Sequence, residues 1–237
     1  MKYRIFAIIV LGIISLAAVF GLYKKQTYTD VAKFPGYINS FAVAQLSEKM
    51  AIEECEKLEK ILPESPIILK VYAVEPIEHL FKISRQKVQI DTVYTGSDLN
   101  TGDYIYITSN RWKLNTTGEP PSIERGFVNV MKEGDAYLVF LTEKMETLDN
   151  EEIPVYRIVE ESVLLPVFSF DEHENTVAEI GEYQHSSYVQ YEKVKDNEFF
   201  AATEGALNAM LELKQKLISV VKACENTVDN EENVNVE

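Results

Sequence analysis

Histidine, cysteine and basic residues are the scarce components of this 237-residue chain. Its three histidines, His79, His173 and His185, never stand two or four residues apart, so the sequence carries no zinc-type pair. Gly-x-Ser-x-Gly, the phosphate-binding loop and the dinucleotide fingerprint are missing, which removes the commonest signatures of hydrolase, nucleotide and cofactor chemistry. Neither enzyme activity nor a cofactor is expected. Lysine and arginine total 23 against 38 acidic residues, a formal net charge of −15. Such a field repels phosphate backbones and anionic head groups, so nucleic acid is not an expected partner. Only two cysteines occur, Cys55 and Cys224, and neither directly follows the N-terminal apolar run, which excludes a lipoprotein anchor.

Charge is absent altogether from Ile5 to Tyr23, a run flanked by Lys2 and Arg4 on one side and Lys24 and Lys25 on the other. Nineteen residues at a rise of about 1.5 Å cover about 28 Å, the thickness of a hydrocarbon core. The run is apolar on every face, which a helix buried on one side of a soluble protein is not. Residues 1–25 are therefore expected to anchor the chain in a membrane through 5–23. A cleaved signal peptide is the competing reading, since Ser15-Leu16-Ala17 and Val19-Phe20-Gly21 offer small residues at cleavage-like spacing. Basic residues flank both ends alike and leave the orientation open. A very short N-terminal tail before a large domain fits export of that domain.

Beyond the run, residues 26–65 read as a connector, with Pro35-Gly36 and no sustained period, followed by an amphipathic helix. Leu46, Met50, Cys55 and Leu58 recur at helical spacing, Ser47 is placed to cap the start and Pro63 stops the run. From Pro66 to Leu141 the period changes to two. Ile67 to Val74, Val88 to Tyr94, Tyr104 to Ile107 and Tyr137 to Leu141 read as strands, with glycine-containing turns around Gly96, Gly102 and Gly134. Further strands are expected at Phe127–Val130, Ile153–Val159, Val163–Phe168, Val177–Ile180 and Tyr188–Tyr191. A strong apolar stripe from Thr203 to Ala223 predicts a C-terminal helix within 198–224. The acidic tail 225–237, which has no basic residue, is expected to be disordered.

The order "ILKVYAVEP … KVQIDTVYTGSDLNTGDYIYI … FVNVMKEGDAYLVFL", with the later "YEKVKDNEFFAATEGALNAMLELKQKLI", is similar to uncharacterised secreted or membrane-anchored proteins of Gram-positive bacteria. That resemblance covers about two thirds of the chain and rests on turns and core strands, so it implies a fold and no active site. The fold it implies is a small antiparallel OB-like β-barrel over residues 66–197, of the TIMP/netrin-like kind found in tissue inhibitors of metalloproteinases. Those inhibitors chelate zinc through a free N-terminal cysteine. Here the N-terminus leads into an apolar run and Cys55 lies in a helix, so that mechanism is not expected.

Few residues qualify as a site. Tyr94, Tyr104, Tyr106 and Trp112 could offer stacking faces to an oligosaccharide on such a barrel, against core packing as the plainer role. The loop Asn110 to Gly126 is where a ligand site over a barrel mouth would sit. Asp171-Glu172-His173-Glu174 could hold a cation only if adjacent side chains converged. Asp98 to Asp103 imitates a calcium loop, with its glycine one place early and Ser109 where a bidentate glutamate belongs. Cys55 and Cys224, one in each expected helix, would form a disulfide if the helices packed with the sulfurs together; two buried free thiols are the alternative. The fold class expected is therefore α+β: an anchored barrel flanked by two helices, outside the membrane. It would serve as a non-catalytic module for a protein partner. A glycan- or cation-binding module comes second and a hydrolase third.

Overall fold

The computed structural model describes residues 2–26, 35–80, 83–146, 152–179 and 188–234, with side chains described except at 2, 7, 8, 25, 26, 35, 224 and 226–234. It divides into two units, Met1–Tyr37 and Ile38–Glu237.

The first unit contains α1 (Lys2–Gln26). Tyr3–Lys24 has a mean hydropathy of 2.9 and no buried share. This helix lacks proline and has no apolar stripe, because it is apolar all round. By length and composition it can cross a membrane, and a membrane anchor and a signal sequence both fit it.

In the second unit, β1 (Ala42–Ala44) precedes α2 (Glu48–Ile61), followed by β2 (Ile67–Ala73), β3 (Glu78–His79), β4 (Ser84–Thr95) and β5 (Tyr104–Thr108). Then come β6 (Lys113–Asn115), β7 (Ser122–Glu124), β8 (Ala136–Lys144), β9 (Val155–Ile158), β10 (Val167–Ser169), β11 (Tyr188–Gln190) and α3 (Glu204–Val234). Strands β8, β2, β4, β5 and β9 pair in that order and β9 returns to β8, so five strands close into a barrel. Closure removes the exposed edges that an open sheet would leave. The alternation in β4 explains its register. Ser84, Gln86, Val88 and Ile90 are buried while the residues between them are half-buried. Leu69, Val71, Val88, Ile105, Ile107, Val139 and Ile158 are fully buried, each contributing about 1.5–3 kcal/mol of transfer free energy.

Strand polarity differs from the expectation in one place. The β5–β9 pair is parallel, with Tyr106 opposite Val155 and Thr108 opposite Arg157. Alternation reports which face is buried and carries no information on direction, so a barrel wholly antiparallel was the natural reading. A second sheet, β11-β1-β7-β6, was not expected at all. It draws β1 from the connector, pairs it parallel with β7, and buries a separate cluster of Phe41, Val43, Ile123, Val189, Tyr191 and Phe200. Its strands are three residues long; β11 answers to the strand expected at Tyr188–Tyr191, while β1, β6 and β7 are too short to show a period.

Helices α2 and α3 lie side by side and run parallel. Thr203 donates to Glu48 Oε2 at 3.0 Å near their starts, and Lys216 pairs with Glu59 at 2.9 Å farther on. Thr203 Oγ1 also accepts from Ala206 N at 3.1 Å and so caps α3. Ser47 occupies the N-cap of α2 as expected, without a side-chain hydrogen bond. Ala51, Cys55 and Leu58 from α2, and Ala206, Met210, Leu213 and Leu217 from α3, join the barrel strands in one core.

Several local expectations change. Phe127–Val130 forms no strand, only an isolated bridge between Val128 and Phe199, because Gly126 and Phe127 both take φ +61° and turn the chain. Val163–Phe168 shortens to β10, as Leu165 N is drawn to Gly126 O at 2.9 Å. Residues 177–179 are not extended into a strand, and Ile180 lies outside the described residues. Where a disordered tail was expected from 225, α3 continues to Val234, since neither proline nor glycine follows Cys224 to stop it. Residues 235–237 lie outside the described residues.

Candidate functional site

Two regions of the second unit present functional side chains: the outer face of β2, β4 and β5, and the segment from Ser109 to Phe127. Residues two apart on a strand share a face, so Tyr104 and Tyr106 point the same way on β5. Register brings Gln89 opposite Tyr104 and Lys87 opposite Tyr106, while Tyr72 on β2 lies opposite Gln89 on its other side. Tyr72, Gln89 and Tyr104 thus form one row across three strands, with the two tyrosines 37% and 46% exposed. Arg85 covers the ring of Tyr106 at 4.0 Å and Lys87 lies 5.5 Å from the ring of Tyr104. Both cations are also paired, Arg85 with Glu78 and Lys87 with Glu75, each at 2.8 Å. The face is therefore aromatic and amide-bearing with its charges balanced. Tyr72 and Gln89 escaped the sequence reading. Only the β2–β4–β5 register, which joins residues 17 and 15 apart along the chain, makes them neighbours of Tyr104.

The four aromatics expected to face a ligand separate. Tyr104 and Tyr106 meet on this face as above. Tyr94 is half-buried and donates to Glu225 Oε1 at 2.5 Å, tying β4 to α3. Trp112 is 1% exposed and belongs to the core, so it offers no stacking face. The backbone positions of the two cysteines separate too. Cys55 is a buried free thiol, its pKa pushed up to about 12 by burial and then by Glu54 and Glu212. The parallel register sets Cys55 abreast of the region of Glu212. The backbone of position 224 is about twelve residues farther along α3, or ~18 Å at the helical rise. That distance does not suit a disulfide. The side chain of Cys224 itself lies outside the described residues.

The Ser109–Phe127 segment borders two cavities. One, of about 280 Å³, is lined by His79, Ser84, Ser109, Trp112 and Leu114 among others. His79 Nδ1 bonds Ser84 Oγ at 2.7 Å, and burial followed by the nearby Arg125 charge lowers the His79 pKa from 6.5 to about 4. The other, of about 310 Å³, is lined by Arg111, Arg125, Glu124, Gly126, Phe127 and part of the second sheet. Ser109 and Asn110 are committed to Glu160, at 2.5 and 2.9 Å from their side chains. The buried donors Arg111 Nε, Trp112 Nε1, Arg125 Nε and Arg125 Nη1 have no hydrogen-bond partner.

The acidic segment at 171–174 is engaged in structural bonds. Asp171 Oδ2 accepts from Ala136 N at 2.9 Å, and His173 Nε2 bonds Ser169 Oγ at 3.0 Å with its ring stacked near Tyr137. In the imitation calcium loop, Asp103 Oδ2 accepts from Asn100 N at 3.2 Å and closes a turn. No cluster of three or more His, Cys, Asp or Glu suited to a metal occurs among the described residues. Compared with known families and curated proteins, the chain matches no family model and no curated protein.

Proposed function

We propose that this chain is a membrane-anchored, extracytoplasmic and non-catalytic binding module, built on an OB-like barrel, that engages a protein partner through the outer face of β2, β4 and β5. The observation that carries the reading is the row Tyr72–Gln89–Tyr104. Exposed tyrosines around a hydrogen-bonding amide combine apolar area with polar tips, the composition favoured at interface centres. Charge balance within the patch spares a partner the cost of burying an unpaired ion. The OB-like assignment is supported by strand order. Taking β2, β4, β5, β8 and β9 as first to fifth, the ring runs first, second, third, fifth, fourth, with the third and fifth parallel. OB folds bind through the face of their second and third strands, here β4 and β5. Anchoring through 5–23 is supported by the length and hydropathy of α1. Export is supported by the resemblance to secreted or membrane-anchored proteins of Gram-positive bacteria.

A photo-crosslinking residue at position 104 of the full chain, expressed in its own membrane, tests the face. A discrete adduct that is lost on Tyr72→Asp and absent from a probe at exposed Glu172 is expected. Identical patterns from both positions, or none, would remove the reading. Protease added outside sealed cells should digest the second unit; its protection would overturn the extracytoplasmic placement.

A neutral oligosaccharide is the second reading. It is favoured by two tyrosine rings set two strand spacings apart, about 10 Å, with the Gln89 amide between them. Saturable binding of a chitin oligomer that Tyr104→Ala abolishes would select it over a protein partner.

A further inference from the structure

Arg125 is a large, fully buried side chain at 2% exposure in a chain with a surplus of acids, yet among the described residues no carboxylate forms an ion pair with it. Its Nε and Nη1 have no acceptor. Burying a guanidinium without a counter-charge costs several kcal/mol, and buried donors are otherwise almost always satisfied. The surroundings match: burial pushes the Arg125 pKa down to about 10, and Tyr191 is the only group opposing that shift. Tyr191 donates its hydroxyl hydrogen to Asn129 Oδ1 at 3.0 Å, and its oxygen accepts from neither Arg125 Nε nor Nη1.

A second orphan lies beside it. Arg111 lines the same 310 Å³ cavity, and its Nε is buried without a partner. The turn at Gly126 and Phe127, both at φ +61°, presses against it: a Cβ on Gly126 would come within 2.9 Å of Arg111 Cδ. A non-glycine residue held at positive φ marks a backbone constrained by its surroundings. All the unsatisfied side-chain atoms of these two residues are donors on charged guanidiniums, so the group that suits them is an acceptor, best one that carries negative charge. Val43, Met50, Phe127 and Val163 give the cavity an apolar wall. Exposed Glu124 at its edge, in a chain of net charge −15, disfavours a dianion.

We infer that the cavity between the turn at Gly126 and the second sheet is a binding site for a small organic monocarboxylate, its carboxylate bridging Arg111 and Arg125 and its apolar body lying on Val43, Met50, Phe127 and Val163. This site is separate from the Tyr72–Gln89–Tyr104 face, and its failure would leave the reading of that face untouched. Ligation completes the hydrogen bonding of two guanidiniums. It therefore couples ligand occupancy to the stability of the link between barrel and second sheet.

The full chain in detergent micelles is titrated with hexanoate, and thermal unfolding is followed through Trp112 fluorescence. In parallel, the arginine Nε–H resonances are followed by NMR. The expected result is a saturable rise in Tm of roughly 5 °C at a hundredfold excess over Kd. Movement of two Nε–H signals that Arg111→Gln and Arg125→Met remove is expected with it. Hexanol, which has the same apolar body and no charge, should give no saturable shift. Arg111→Gln should weaken hexanoate at least tenfold, and Arg125→Met should abolish its effect. If Arg125→Met does not fold, Arg111→Gln and the wild-type resonances still decide. No saturable response to hexanoate, an equal response to hexanol, or an undiminished response in Arg111→Gln overturns the site. Binding of inorganic phosphate without hexanoate binding overturns the carboxylate assignment.

Discussion

Lys214→Met should destabilise the protein by far more than the loss of an ordinary surface charge. Lys214 pairs with Glu198 at 2.5 Å, and their side chains are 12% and 3% exposed. Glu198 also accepts from Ser169 N at 2.8 Å, so one carboxylate joins β10, α3 and the 197–200 segment. Burial raises the Glu198 pKa above the ordinary carboxylate value, and Lys214 is the largest opposing influence. Without Lys214 the carboxylate keeps the Ser169 amide and the weaker influence of Lys132. Removing one partner of a buried pair costs about 3–5 kcal/mol, so a loss of about 3 kcal/mol is expected at pH 7.5. The pH dependence follows from the direction of the shift. A carboxyl with a raised folded-state pKa holds its proton more tightly folded than unfolded. Its contribution is full below the unfolded pKa and is lost as pH rises through the folded one. The penalty should therefore shrink as pH falls and Glu198 takes up its proton. Adding Glu198→Gln to Lys214→Met should recover most of it. Urea unfolding of the full chain in micelles, read through the single buried tryptophan Trp112, measures all three quantities. A loss below about 1 kcal/mol at pH 7.5, or no recovery in the double variant, would refute the claim that Lys214 is what stabilises the buried Glu198 carboxylate.

Three further outcomes are expected. His79, whose pKa is lowered from 6.5 to about 4, stays neutral when folded, so stability present above pH 6.5 should fall as pH drops toward 4. His79→Phe should remove about 2 kcal/mol of that acid sensitivity, allowing for the partial exposure of the ring, and an unchanged acid midpoint would refute it. In a Cys224→Ser background, Cys55 should react with iodoacetamide on the order of a thousandfold more slowly than glutathione until urea unfolds the chain; its buried thiol has a pKa near 12. Comparable rates in the native protein would count against that burial. Gly126→Ala should cost about 2 kcal/mol in urea unfolding. Its φ is +61° and the added Cβ would meet Leu165 Cβ at 2.9 Å, an atom that no rotamer change can move away.

The amino-acid sequence by itself determined the elements whose physics is local. An uncharged run of nineteen residues is a helix apolar on all sides wherever it sits, so α1 was legible. Alternation in 84–95 and 104–108 and the β-rich apolar runs in 67–73 and 136–144, with turns at Gly96, Gly102 and Gly134, specified the four strands that dominate the barrel. The stripes of Cys55 and Leu58, and of Met210 and Leu217, specified both packed helices. Tertiary structure decided everything that depends on which distant segments meet. The parallel β5–β9 contact joins residues 49 apart along the chain, the β8–β9 pairing then closes the ring, and alternation is blind to strand direction. In the second sheet only β11, at the expected Tyr188–Tyr191, was legible; β1, β6 and β7 are three residues long and show no period of their own. Helix direction, fixed by Glu48 beside Thr203 and Glu59 beside Lys216, separated Cys55 from position 224. Arg125 shows the limit most sharply. In sequence it is one arginine in an irregular loop that was already marked as the place for a ligand. Only the closing of the second sheet over it turns that residue into a buried cation without an acid.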